Sequence, residues 1–278
     1  MKIAITAEST IDMPLELLNK YNIKTIPFSV ILGENEFKDG EITSADIFKF
    51  VEENKILPKT SAINQEQYKE FFSQQLKDND AVVHLSLSSQ ISSACSHAVE
   101  AAKELENVFV LDTKSLSTGI ALLAINAREL AESGLTAQEI YEKILARVDN
   151  VQASFVVKKL DYLHKGGRCS SIALLGANLL HIRPQIVLKD GKMMSNKKYL
   201  GKMEKVISSY CKDVLAQNPN ADKKYAFVTY TTATDVMVAA AKDALTTAGF
   251  ETIYETTAGA TITSHCGEDT LGVLFLNK

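Results

Sequence analysis

Apolar residues recur along this chain with two periods. In the first half, short unbroken apolar runs alternate with stretches in which apolar positions fall every three or four residues. Lys2–Thr6, Ala81–Leu87 and Val108–Leu111 read as buried strands. Thr43–Glu53, Gln65–Lys77, Ser93–Leu105 and Ser115–Glu132 read as helices, the second with Tyr68, Phe71, Phe72 and Leu76 on one stripe. Asp12-Met13-Pro14 marks a helix start, because proline in a first turn sacrifices no hydrogen bond. Thr43 is placed as the N-cap of its helix, and Thr136 with Glu139 forms a capping box for a helix over 136–148. Ile23–Leu32 is extended, with Pro27 at an edge or bend. This alternation predicts a mostly parallel sheet covered by helices.

The rhythm changes after residue 150. Ala153–Val157 reads as a strand, and a Gly166-Gly167 corner and an apolar helix over Ser170–His181 follow. Ile182–Leu188 and Met193–Leu200 flank Asp190-Gly191, the signature of a tight hairpin. Helices over 202–216 and 233–247 and strands over 225–230, 251–256 and 271–276 complete the chain. The expected fold is α/β with two domains: residues 1–150 around a mostly parallel sheet, and residues 151–278 of mixed α+β type. No linker separates them, so a broad shared interface is expected, and such interfaces favour ligand clefts.

Composition narrows the function. Of 278 residues, 46% are hydrophobic and 23% charged, the profile of a globular protein. A net charge of −4 gives no footprint for nucleic acid. No apolar run is long enough for a membrane span, and the chain opens on a strand with no signal-peptide core, so a cytoplasmic location is expected. Cys95, Cys169, Cys211 and Cys266 lack metal-ligand spacing, so reduced thiols and no metal are expected.

Candidate chemistry lies in tight polar segments. Arg168 directly follows the glycine pair, held at a corner where its fork of donors suits a carboxylate or phosphate. Ala7-Glu8-Ser9-Thr10-Ile11-Asp12-Met13-Pro14 follows the first strand and reads most simply as a cluster of helix caps. Pro58-Lys59-Thr60-Ser61 reads as an extended loop whose hydroxyls either cap the next helix or face a ligand. Between Ser86 and Ser93, five of eight residues are serine, at the carboxyl end of a strand and the start of a helix. That is more than one cap requires, and such a position suits an anion. Ala258–Gly267 reads as a small-residue loop carrying one histidine, His265. Cys169 and Cys266 each follow one of these residues, which raises the idea of a neighbouring, redox-sensitive thiol pair.

Taken together, these segments resemble the DegV family of fatty-acid-binding proteins. The resemblance rests on Ser9-Thr10 with Asp12 and Pro14, Pro58-Lys59-Thr60-Ser61, Ser88-Ser89-Gln90-Ile91-Ser92, Gly166-Gly167-Arg168, Ile182-Arg183-Pro184, Asp190-Gly191 and His265-Cys266-Gly267, in this order over nearly the whole chain. Glu8 stands where the family usually has aspartate, and Ser93-Ala94-Cys95 where it has Gly-Thr-Tyr. The resemblance implies a long-chain fatty acid buried between two domains. Its carboxylate is held by Thr60 and Ser92, with Arg168 and His265 near the head group; Ser61 and Ser93 belong to the same two segments. It further implies a carrier that is not itself an enzyme, needs no cofactor, presents the acyl carboxylate to a fatty acid kinase for acyl phosphate formation and phospholipid synthesis, and touches membranes transiently to exchange lipid. Two rival readings exist: a histidine-dependent phosphotransfer or carbonyl-binding module related to dihydroxyacetone kinase, with His265 as acceptor, and a small-anion sensor built on the serine-rich helix start. The first lacks a glycine-rich phosphate loop.

Overall fold

A computed structural model describes residues 1–168 and 182–278. The helix expected over 170–181, and Cys169, lie outside the described residues. In chain order the elements are β1 (Ile3–Glu8), α1 (Leu15–Lys20), β2 (Ile23–Ile26), β3 (Ser29–Leu32), β4 (Asn35–Lys38), α2 (Ser44–Asn54), β5 (Lys59–Ser61), α3 (Gln65–Leu76), β6 (Ala81–Ser86), α4 (Ala94–Ala102), β7 (Val108–Asp112), α5 (Thr118–Glu132) and α6 (Ala137–Leu145). They continue with β8 (Val151–Val156), α7 (Asp161–Lys165), β9 (Ile182–Lys189), β10 (Lys192–Leu200), α8 (Met203–Gln217), β11 (Ala221–Tyr230), α9 (Asp235–Thr247), β12 (Thr252–Thr257), α10 (Ala260–Cys266) and β13 (Leu271–Asn277).

The fold is α/β, with a parallel-sheet domain and a mixed-sheet domain. The first sheet has strand order β2-β1-β6-β7, all parallel. Its central strands β1 and β6 are buried at every position, as strands covered on both faces must be. The second sheet has order β10-β9-β8-β13-β11-β12, antiparallel except for the β11–β12 pair. A third sheet, β4-β3-β5, is small and antiparallel.

Helix α5 joins the two larger sheets. It packs on β1 and β6 from one side and on β8, β11 and β13 from the other. Its first half is apolar all round, and Ile120 through Ile125 are buried without exception, which only a helix enclosed by protein tolerates. The largest apolar cluster accordingly runs without a break from Ile5 and Val83 through Ile120 and Leu123 to Phe155 and Leu274.

Several sequence expectations are corrected. Ile23–Leu32 is two strands in different sheets, split at Pro27, which lacks the N–H to continue a ladder. Pro58-Lys59-Thr60-Ser61 is not all loop: Lys59–Ser61 is β5, paired with β3. Helix α3 is capped by Asn64, with Gln67 completing the capping box, and not by Thr60 or Ser61. Ala258–Gly267 is largely helix α10. Thr43 with Asp46, and Thr136 with Glu139, do form capping boxes, and the hairpin turns at Asp190-Gly191.

Candidate functional site

Thr60 and His265 meet across the small sheet. Thr60 sits on β5 and His265 on α10, and Thr60 Oγ1 lies 2.8 Å from His265 Nε2. Helix α10 packs against α2 and β3 through Ala260, Ile47, Val30 and Leu32, which fixes where the imidazole stands. Behind the ring is Gly166: a Cβ there would lie 2.7 Å from His265 Nδ1 and 2.7 Å from the Tyr162 carbonyl. Gly167 has φ +73°, the left-handed ending of α7. The glycine pair therefore has two separate jobs, close approach to the histidine and chain reversal.

Arg168 follows directly. Its Nη1 donates to the Gly166 carbonyl at 2.7 Å, and its side chain lines the same cavity as Thr60, Ser92 and His265. Burial, and then the Arg168 charge, push His265 down from 6.5 to about 4, so the ring is neutral at ordinary pH. Burial also lowers the Arg168 guanidinium from its usual value. His265 Nδ1 is buried without a hydrogen-bond partner among the described residues.

Ser92 lines the cavity, and its Oγ accepts from the Ala94 N–H at 3.2 Å at the start of α4. Ser61 and Ser93, by contrast, are exposed and do not line it. Alternation along β5 sends Ser61 to the face opposite Thr60.

The rest of the cavity is apolar: Phe28, Leu87, Ile91, Leu116, Met193 and Ile262. Past Leu116, Ile262 and Cys266 it adjoins a second cavity walled by Phe155, Leu274 and Ala258. Five hydroxyl residues border that second space, but each is already committed, Tyr230 by donating to Glu255 at 2.9 Å. Thr229 bonds Thr118 and Thr256, Thr231 donates to the Gly267 carbonyl, Thr270 to the Cys266 carbonyl, and Ser117 to Asp12. Their hydroxyls are spent within the protein, leaving an apolar lining. One end of this space offers hydrogen-bond donors and a cation; the remainder offers hydrocarbon.

Sequence reasoning missed two buried carboxylate centres beneath the site. Ser9 and Asp12 do not cap α1, whose N-cap Pro14 receives no side-chain bond. Asp12 instead accepts from the Gly259 N–H (2.8 Å) and the Ser117 hydroxyl (2.5 Å). Asp39 accepts from the Ala260 N–H (2.8 Å) and the Ser9 hydroxyl (2.9 Å). Together they hold the first turn of α10, and so the helix that carries His265. Burial pushes the Asp12 carboxyl up from 3.8 to about 8, so it carries a proton at neutral pH. Between those values the folded chain keeps a proton that the unfolded chain gives up, so stability falls as pH rises through that window. Asp12→Asn keeps both contacts, its amide donating to Ser117, and asparagine tolerates the φ of +54° at this position. Thermal melts should show the variant gaining on the native chain as pH rises from about 4 to 9; parallel curves would show that Asp12 is not the titrating group.

The second centre is Glu8. It is fully buried and accepts from Tyr68 Oη (2.7 Å), Ser86 Oγ (2.6 Å) and the Leu87 N–H (2.9 Å), with His84 Nε2 at 3.1 Å. Burial raises Glu8, but His84, Ser86 and Tyr68 outweigh it and hold the carboxyl below its ordinary value. Leu87, at the other end of this network, is a wall of the cavity. The idea of a reactive thiol fails at Cys266: it is buried, and burial pushes its thiol up to about 12, not down.

These features define an α/β protein with a buried apolar cavity closed at one end by donors and an arginine. The family model "Uncharacterised protein, DegV family" matches residues 2–278. A "Fatty acid-binding protein" of Thermotoga maritima is 34% identical over 230 residues, covering 80% of each chain. Among solved structures, one described as fatty acid binding of a DegV family protein from Thermus thermophilus superposes with a TM-score of 0.92 at 27% identity, covering 100% of both chains. DegV, a fatty acid binding protein from Bacillus subtilis, does so with a TM-score of 0.88 at 25% identity, again over 100% of both. The chain belongs to the DegV family.

Proposed function

We propose that this chain carries a long-chain fatty acid, with the carboxylate among Thr60, Ser92, Arg168 and His265 and the hydrocarbon in the apolar space beyond Leu116 and Ile262. The observation that supports it most is a cavity lined by Thr60, Ser92, Arg168 and His265 that adjoins a second cavity with largely apolar walls. The family relationship and the relatives described as fatty acid-binding support it independently. Burying some fifteen methylenes contributes on the order of 12 kcal/mol gross, of which ordering and association remove a large part. A carboxylate taken from water needs donors and a cation, and the four residues provide both.

The protein acts as a carrier and performs no chemistry of its own. It presents the acyl carboxylate to a fatty acid kinase, which phosphorylates it to an acyl phosphate for phospholipid synthesis. This places it in the cytoplasm, exchanging lipid with the membrane in passing. The two domains meet near residue 150, where α6 gives way to β8, and the ligand lies between them.

Fatty-acid displacement titrations test the site. Thr60→Val and Ser92→Ala each remove one donor to a buried carboxylate and should weaken binding by roughly 1–3 kcal/mol. Ser61→Ala and Ser93→Ala, at exposed positions, should leave affinity unchanged. Equal losses for all four would place the carboxylate elsewhere.

A further inference from the structure

We propose that Thr261 bonds an oxygen on the acyl chain itself, so that this protein prefers fatty acids carrying a hydroxyl or carbonyl group on one of the carbons nearest the carboxyl. The proposal rests on the fatty-acid reading above and names the class of acid it takes. All but one of the hydroxyls that border the two cavities have a partner within the protein. The five around the second cavity are committed as described, Thr60 pairs with His265, and Ser92 accepts from the Ala94 N–H. Thr261 is the exception. It lines the head-group cavity and is 4% exposed, and its Oγ1 is buried without a hydrogen-bond partner among the described residues.

The other hydroxyls of α10 differ. Thr263 pairs with Ser44 at 2.8 Å, Ser264 donates to the Ala260 carbonyl at 2.7 Å, and neither lines these cavities. A buried hydroxyl without a partner carries its full desolvation cost, and valine would fill the same shape without it. A threonine at this position is explained by a partner that arrives with the ligand.

Position on the helix says which part of the ligand that is. Thr261 and His265 are four residues apart on one stripe of α10, with side-chain roots about 5–6 Å apart. Both line the head-group cavity and not the second one, whereas Ile262 and Cys266, on the next stripe, border both. Side chains on a helix lean toward its N-terminus, so the imidazole leans back over the turn that holds Thr261. Thr261 therefore stands beside the carboxylate site and not along the far hydrocarbon. The carboxylate itself needs no further donor. It has about four acceptor positions, which Thr60, Ser92 and the fork of Arg168 can fill. Among the described residues that fork makes one bond to the protein, to the Gly166 carbonyl. The Thr261 hydroxyl is left for an oxygen a few bonds further along the chain, and as both donor and acceptor it suits a hydroxyl or a carbonyl.

The experiment is isothermal titration of the delipidated full chain with hexadecanoate, 2-hydroxyhexadecanoate and 3-hydroxyhexadecanoate. The native chain should bind at least one of the hydroxy acids about tenfold more tightly than hexadecanoate, the effect of one hydrogen bond to a group otherwise left unpaired. Thr261→Val should erase that preference by losing affinity for the hydroxy acid, while binding hexadecanoate at least as well as the native chain. Thr261→Ser, which keeps the hydroxyl, should keep the preference. Melting temperatures report on folding, and Thr261→Ala, which adds no bulk, repeats the test if valine disturbs it. A native chain with no preference for either hydroxy acid overturns the proposal. So does a Thr261→Val chain that loses affinity for all three acids alike, which would put Thr261 on the carboxylate. If none of the three acids binds the native chain, the underlying fatty-acid reading falls instead.

Discussion

Arg168→Ala should weaken fatty-acid binding by about 3 kcal/mol, on the order of 100-fold, because it strips the cation from a buried carboxylate. Arg168 is the one cationic side chain that lines the head-group end among the described residues. Its own position is fixed by the Gly166 carbonyl, so the loss is not absorbed by rearrangement of a long free side chain. The substitution should also change His265, whose value is lowered first by burial and second by Arg168. Without the guanidinium, the imidazole should titrate closer to 6.5. Isothermal titration with palmitate, paired with NMR titration of His265, separates the two effects. Full retention of affinity, with or without a His265 shift, would exclude Arg168 from the carboxylate.

Glu8→Gln should cost about 3 kcal/mol of unfolding free energy. The carboxylate is the shared acceptor for Tyr68, Ser86, Leu87 and His84, none of which has access to water at that point. An amide in its place puts a donor against donors and leaves at least one of them unpaired. Urea unfolding should show a lower midpoint with an unchanged slope. Glu8→Asp, a methylene shorter, should restore part of the loss only if the four partners close in. A midpoint equal to the native one would mean that the buried network contributes specificity of packing and little stability.

The sequence made some of this legible and hid the rest for physical reasons. Elements with a strong local signal were readable: the buried run of β1, the stripe of Tyr68 and Phe72 on α3, the N-cap at Thr43, the capping box at Thr136, and the Asp190-Gly191 turn. Helix α10 was not. Its residues are small and β-branched, with weak helix propensity, and its first turn is held by Asp12 and Asp39 from more than two hundred residues away. No local pattern reports such bonds.

The same limit governed the site. Thr60, Ser92, Arg168 and His265 stood out as polar residues in tight segments, and all four line one cavity. Ser61 and Ser93 were drawn in only as their neighbours, and direction along a strand or a turn separates such neighbours. Glu8 and Asp12 looked like capping residues because nothing in the sequence announces that a carboxylate after β1 will be buried beneath a distant loop. One signal was available for Glu8: an acidic residue following five buried strand positions must find donors inside the protein.

Mass spectrometry of lipid extracted from the protein, purified from a bacterial host, is the most direct test. The proposed fatty-acid carrier should yield about one fatty acid per chain, of roughly fourteen to eighteen carbons by the burial expected per methylene. Added palmitate or oleate should raise the melting temperature of delipidated protein. An extract free of fatty acid, together with a melting temperature indifferent to both acids, would contradict it.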